Sequence, residues 1–98
     1  MKNFTVRADT RVRIDINEIL GFLETRQVNL SHKFLKDYLK ALKKLEKNPY
    51  FQIRYKDIRC LPLEKFKYMI HFKLDEINNE VMIYAIISTH QNPDTHWL

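Results

Sequence analysis

Two spacings of apolar residues divide the chain. Val12, Ile16, Ile19, Leu20 and Leu23 recur every three or four positions, and so do Phe34, Leu35, Tyr38, Ala41, Leu42 and Leu45. Each set draws one apolar stripe along a helix. Thr10 is placed to cap the first helix by accepting a bond from an unpaired N–H group. Gly21 interrupts that helix at a cost of roughly 1 kcal/mol relative to Ala. A turn from Thr25 to Asn29 separates the two, and Asn48-Pro49 ends the second because proline cannot donate the next backbone bond. Helices joined by so short a link are expected to form an antiparallel hairpin with both stripes on the same sheet.

Elsewhere the spacing is two. Phe4 to Arg7 reads as a short first strand, 51 to 55 alternate as Phe-Gln-Ile-Arg-Tyr, and Ile58 to Leu63 follow as an extended piece in which Pro62 belongs at an edge or bulge. From Phe66 to Leu74 the residues Phe66, Tyr68, Ile70, Phe72 and Leu74 share one face, and Lys67, Met69, His71 and Lys73 the other. Val81 to Thr89 is the last strand. The link Asp75 to Glu80, with Asn78-Asn79 as its turn, is short enough to require an antiparallel hairpin. Setting Leu74 opposite Val81 places Phe72 beside Ile83 and Ile70 beside Ala85, which leaves Met69, His71, Lys73, Met82, Tyr84 and Ile86 on the second face.

Hydrophobic residues at 45% and aromatic residues at 12% exclude a wholly disordered chain. At 98 residues the expectation is a single domain spanning 1–98. No stretch approaches the ~20 apolar residues of a membrane span, and the N-terminus lacks a signal-peptide run, so a cytoplasmic protein is expected. Cys60, the lone cysteine, reads as core filler. The net charge of +5 suits an acidic partner, and it is local. Arg26 to Lys47 alone carries +5, with Lys33, Lys36, Lys40, Lys43, Lys44 and Lys47 on the outer face of the second helix. That row reads either as a solvated face or as a stripe that follows phosphates.

The element order, the Tyr-led strand in Leu63-Glu64-Lys65-Phe66-Lys67-Tyr68-Met69-Ile70-His71-Phe72-Lys73-Leu74 and the segment Ser88-Thr89-His90-Gln91-Asn92-Pro93 together resemble the RelE/ParE superfamily, with ParE-type plasmid stabilisation sequences the nearer branch. The resemblance runs from Phe4 to Trp97. It implies an α+β fold: an N-terminal strand, an antiparallel helical hairpin, then a C-terminal antiparallel sheet of three to four strands. It also implies a bacterial type II toxin–antitoxin system in which a cognate antitoxin protein neutralises this chain as the toxin.

ParE-like members imply inhibition of DNA gyrase by binding. RelE-like members imply a ribosome-dependent mRNA endoribonuclease, which must deprotonate a ribose hydroxyl, neutralise phosphate charge and protonate the leaving oxygen. The arginine that nuclease members carry after the strand-opening Tyr is here Met69, the arginine after the last strand is Gln91, and the family's lysines fall near Cys60 and Pro62. The residues left for a nuclease are Arg59, Lys65, Tyr68 and His71. In the register above, His90 lies roughly 20 Å along the strand from His71, at ~3.3 Å per residue, too far to share a phosphate.

The leading expectation is therefore a ParE-like gyrase inhibitor, with the substituted nuclease as the alternative. Met69, His71, Lys73, Met82, Tyr84, Ile86 and Gln91 are its candidate protein-binding face, the alternative being a second core covered by the C-terminal tail with Trp97. No cofactor is expected, no histidine has metal-ligand spacing with a cysteine or second histidine, and direct nucleic-acid binding is expected to be weak or absent.

Overall fold

The computed structural model describes residues 3–89. Strand β1 (Thr5–Ala8) is followed by helices α1 (Thr10–Glu24) and α2 (Leu30–Lys47), then strands β2 (Ile53–Tyr55), β3 (Ile58–Pro62), β4 (Tyr68–Asp75) and β5 (Glu80–Ser88). The strands form one sheet in the order β1-β5-β4-β3-β2. β1 runs parallel to β5, a pairing that the helical crossover permits, and every other pairing is antiparallel. The fold is α+β, as the alternation of spacings implies.

The main core lies between the helices and one sheet face. Val12, Ile19 and Leu23 of α1 and Phe34, Tyr38, Ala41 and Leu45 of α2 meet Leu61, Ile70, Phe72, Val81, Ile83 and Ile86 of the sheet. Phe34 sits at its centre, fully buried, edge-on to Phe66 at 5.5 Å and to Tyr68 at 5.6 Å. Phe4 lies before β1 rather than in it: its side chain enters the core and its N–H donates to the Glu46 carbonyl at 2.8 Å, tying the N-terminus to the end of α2.

Local chemistry moves several boundaries. Asp9, in extended conformation, caps α1 by accepting from the Arg11 N–H at 3.0 Å, so Thr10 becomes the first helical residue instead of the cap. β2 is shorter than the alternation over 51–55 predicts, because the Phe51 N–H turns back to the Pro49 carbonyl and the Arg59 guanidinium takes the Phe51 carbonyl. β4 begins at Tyr68 because the N–H groups of Lys65 and Phe66 are held elsewhere, by the Asp37 carboxylate.

Pro62 lies where an edge proline belongs. The Leu63 N–H bonds the Tyr68 carbonyl at 2.9 Å, so by the antiparallel alternation the Pro62 nitrogen points away from β4, on the side where β2 pairs no further than Arg59.

The hairpin of β4 and β5 keeps the predicted pairs Leu74 with Val81 and Phe72 with Ile83. Its turn is closed by Asp75, which accepts from both the backbone N–H and the side chain of Asn78, while Asn79 takes a positive φ of 53°. Beyond Ile83 the register departs from the expected one. His71 pairs with Ala85, so Tyr84 is the extra residue of a β-bulge. The bulge exchanges the faces of everything that follows: Ala85 joins the His71 side, and Ile86, expected on the second face, enters the main core at 5% exposure. Among the described residues no helix is long and apolar enough to cross a membrane.

Candidate functional site

The sheet face away from the helices is divided along its length. At its centre His71 is 1% exposed, and its Nδ1 lies 3.0 Å from the Tyr55 hydroxyl and 3.7 Å from the Cys60 sulfur. Ile58, Cys60 and Met69 form a small buried cluster there, with Tyr55 against it. Two short strands make this possible: β3 sets Cys60 directly beside His71, and β2 brings Tyr55 across at the edge. Burial, and then the nearby thiol, push the Tyr55 phenol above its ordinary value. The phenol therefore stays protonated at neutral pH, and which of the two groups donates in this hydrogen bond is set by the His71 tautomer. Burial pushes the Cys60 thiol up to about 11, against a smaller pull from Arg54, so at neutral pH the sulfur is not a thiolate nucleophile.

Toward the turn the same face is open. Lys73 reaches Asp57 at 3.6 Å and stands 5.5 Å from the centre of the Tyr84 ring. Tyr84 is 37% exposed and Met82 half-buried, so this end presents an aromatic, a thioether and a cation to solvent. Of the residues expected to form one binding face, Lys73, Met82 and Tyr84 are accessible together, Met69 and His71 belong to the second cluster, and Ile86 belongs to the main core. Half of this face is thus a covered cluster, closed by Tyr55, Ile58 and Cys60, and the other half is open. Gln91, His90 and Trp97 lie outside the described residues.

Of the four residues left for nuclease chemistry, Lys65 and Tyr68 line one cleft, and Arg59 and His71 lie apart from it and from each other. Arg59 pairs with Phe72 and points to the helix side, where its guanidinium donates to the Phe51 carbonyl at 2.8 Å and stands 5.8 Å from the Tyr50 ring. Tyr68 also lies on the helix side, against Phe34, and its hydroxyl is raised by burial. Lys65 is exposed on the loop between β3 and β4, and His71 is buried on the opposite face.

On α2, all six outer lysines are exposed. Lys40 and Lys44 are drawn to Glu64, which they hold below the usual carboxylate range, Lys44 contributing more. Lys33, Lys36, Lys43 and Lys47 make up the rest of the row.

Two features escape a reading of charge and spacing. Asp37 is only 4% exposed although it sits among lysines, and it accepts from the Lys65 N–H at 2.8 Å and the Phe66 N–H at 3.2 Å. The signal was present: Asp37 follows Phe34 by three and precedes Ala41 by four, and so occupies a stripe position. The second is Tyr55, whose contact with His71 depends on how β2 folds over β3.

No protein-family model matches the sequence, and no curated protein is similar to it. Solved structures are similar. The chain superposes on the chromosomal ParDE toxin-antitoxin system of P. aeruginosa with a TM-score of 0.73 at 16% identity, covering 87% of this chain and 95% of that one. It matches the RelBE2 toxin-antitoxin complex of Mycobacterium tuberculosis with a TM-score of 0.65 at 17% identity, covering 90% and 93%. A free mutant of the E. coli toxin RelE gives 0.62 at 9% identity, covering 96% and 92%. With its helical hairpin laid on one face of the mixed sheet, the chain has the fold of the RelE/ParE toxins.

Proposed function

We propose that this chain is the toxin of a type II toxin–antitoxin pair, that it acts by binding rather than by cutting RNA, and that its target is DNA gyrase, with a cognate antitoxin protein neutralising it. The likeness to the toxins of ParDE and RelBE systems supports the toxin reading. The observation that carries the choice of binding is the placement of His71. It is the group expected to move protons near neutral pH, and it is buried at 1% exposure under a phenol and a thiol, on the face opposite Arg59 and Tyr68. A phosphate held by Arg59 has no path to it. The accessible end of the sheet, with Met82, Tyr84 and Lys73, has the composition of a protein-contact surface, and the ParE resemblance supports gyrase as the target.

Induced expression in a bacterial host tests this reading. It predicts growth arrest with damaged chromosomal DNA and intact messenger RNA, relieved by co-expression of an adjoining acidic reading frame. Arrest with cleaved messages and intact DNA would replace gyrase binding with the nuclease reading.

A further inference from the structure

We infer that the outer lysine row of α2 holds the phosphate backbone of duplex DNA. Lys33, Lys36, Lys40, Lys43, Lys44 and Lys47 are all exposed, and at ~3.6 residues per turn they fall within a sector of roughly 100° around the helix. No acid interrupts that sector. Asp37, at its border, is buried and turned to the N–H groups of Lys65 and Phe66, and Glu46 falls about 60° outside it. Lys40 and Lys44 share Glu64, which leaves Lys33, Lys36, Lys43 and Lys47 without an acidic partner among the described residues.

The row works against the helix that carries it, so stability does not account for it. Lys33 lies in the first turn, where the positive end of the helix disfavours a cation and no acid offsets it. Lys36 and Lys40, Lys40 and Lys44, and Lys43 and Lys47 are like charges four residues apart, a spacing that brings them together on the surface and disfavours the helix. A line of phosphates turns this repulsion into attraction. From Lys33 to Lys47 the row runs for roughly 21 Å at ~1.5 Å per residue, a length over which one strand of duplex DNA carries about six phosphates at ~3.4 Å each. The composition of the row selects among polyanions. It contains no Arg to fork onto a base edge, so it follows the backbone and not the sequence. It contains no aromatic on which the bases of a single strand would stack, and no apolar anchor of the kind by which a protein helix docks. Such contacts alone give weak binding, with a Kd on the order of 10⁻⁴–10⁻⁶ M at physiological salt.

This surface goes beyond the gyrase reading above. The row lies on the helix side of the sheet and Lys73, Met82 and Tyr84 on the other face, so both can be occupied together. The test contains no gyrase, so the two fail separately. Binding of the full chain to a fluorescent mixed-sequence DNA duplex is followed by anisotropy between about 50 and 200 mM salt. The logarithm of the affinity is expected to fall against the logarithm of salt with a slope of about −3 to −5. The exposed triple variant Lys33→Gln/Lys36→Gln/Lys43→Gln is expected to lose about tenfold or more in affinity at the lowest salt, and about 3 units of that slope. A control triple of equal charge change, Arg11→Gln/Arg13→Gln/Lys56→Gln, is expected to bind within about threefold of the unaltered chain. Equal losses from the two triples, or a slope shallower than about −1, would overturn the assignment. Tighter binding of a single-stranded RNA of the same length would overturn it in favour of RNA, and displacement of the duplex by polyglutamate at equal charge concentration in favour of an acidic protein.

Discussion

The Asp37 carboxylate on α2 accepts the backbone N–H of Lys65, 28 residues further along the chain, at 2.8 Å. A buried anion is tolerable because the loop encloses it, and the loop is ordered because the anion is there. Asp37→Ala is expected to cost roughly 1.5–3 kcal/mol, the range for a buried hydrogen-bonded acceptor removed from its donors. Thermal melts check this, with the amide shifts of residues 63–67 reporting the loop. A melt unchanged within about 0.5 kcal/mol would mean that the loop orders itself.

Ile86 distinguishes the bulged register from the regular one. It is 5% exposed in the main core because Tyr84 is the extra residue. Ile86→Ala is therefore expected to destabilise by ~2–4 kcal/mol through the cavity it leaves. In an unbulged hairpin Ile86 would lie on the second face and the cost would be a fraction of that. Chemical denaturation reads the difference.

The surroundings of Cys60 make it unreactive. Its thiol is raised from 9.0 to about 11 by burial, so at pH 8 its thiolate fraction is about 100-fold below that of the same thiol in the unfolded chain. A disulfide reagent should modify Cys60 slowly in the folded chain and quickly in denaturant. The sign for stability follows. Between the unfolded and folded values the unfolded chain has lost the thiol proton and the folded chain still holds it, so this group's contribution to stability falls as pH rises from about 9 towards 11. Melting temperatures across that window, compared with those of Cys60→Ala, isolate the effect.

His71→Ala removes a buried ring and its bond to Tyr55. The expected result is a loss of roughly 1–3 kcal/mol with growth arrest retained wherever the variant is folded, as a binding toxin requires. A variant folded by circular dichroism but inert in cells would return His71 to a catalytic role.

The fold was legible because its two periodicities are clean. The stripes on α1 and α2 and the alternation from Tyr68 to Leu74 each assign one side to the main core. What was not legible arises from contacts between distant segments. Nothing near Tyr84 marks it as an extra residue, and a single insertion there reverses the facing of Ala85 and Ile86. The same limit applies to the site. Lys73 and Tyr84 were placed together by pairing, and they meet. Met69 and His71 were placed on the same face correctly, yet they are covered, because Tyr55 and Cys60 come from strands whose side-chain reach depends on sheet twist.

The most direct measurement is supercoiling of relaxed plasmid by DNA gyrase with purified chain added, scored also for linear DNA. Binding as proposed predicts inhibition with trapped, cleaved DNA that increases with the amount of folded chain, and no cleavage of message on translating ribosomes. Full supercoiling at a large molar excess of folded chain, together with message cleavage on the ribosome, would contradict the account.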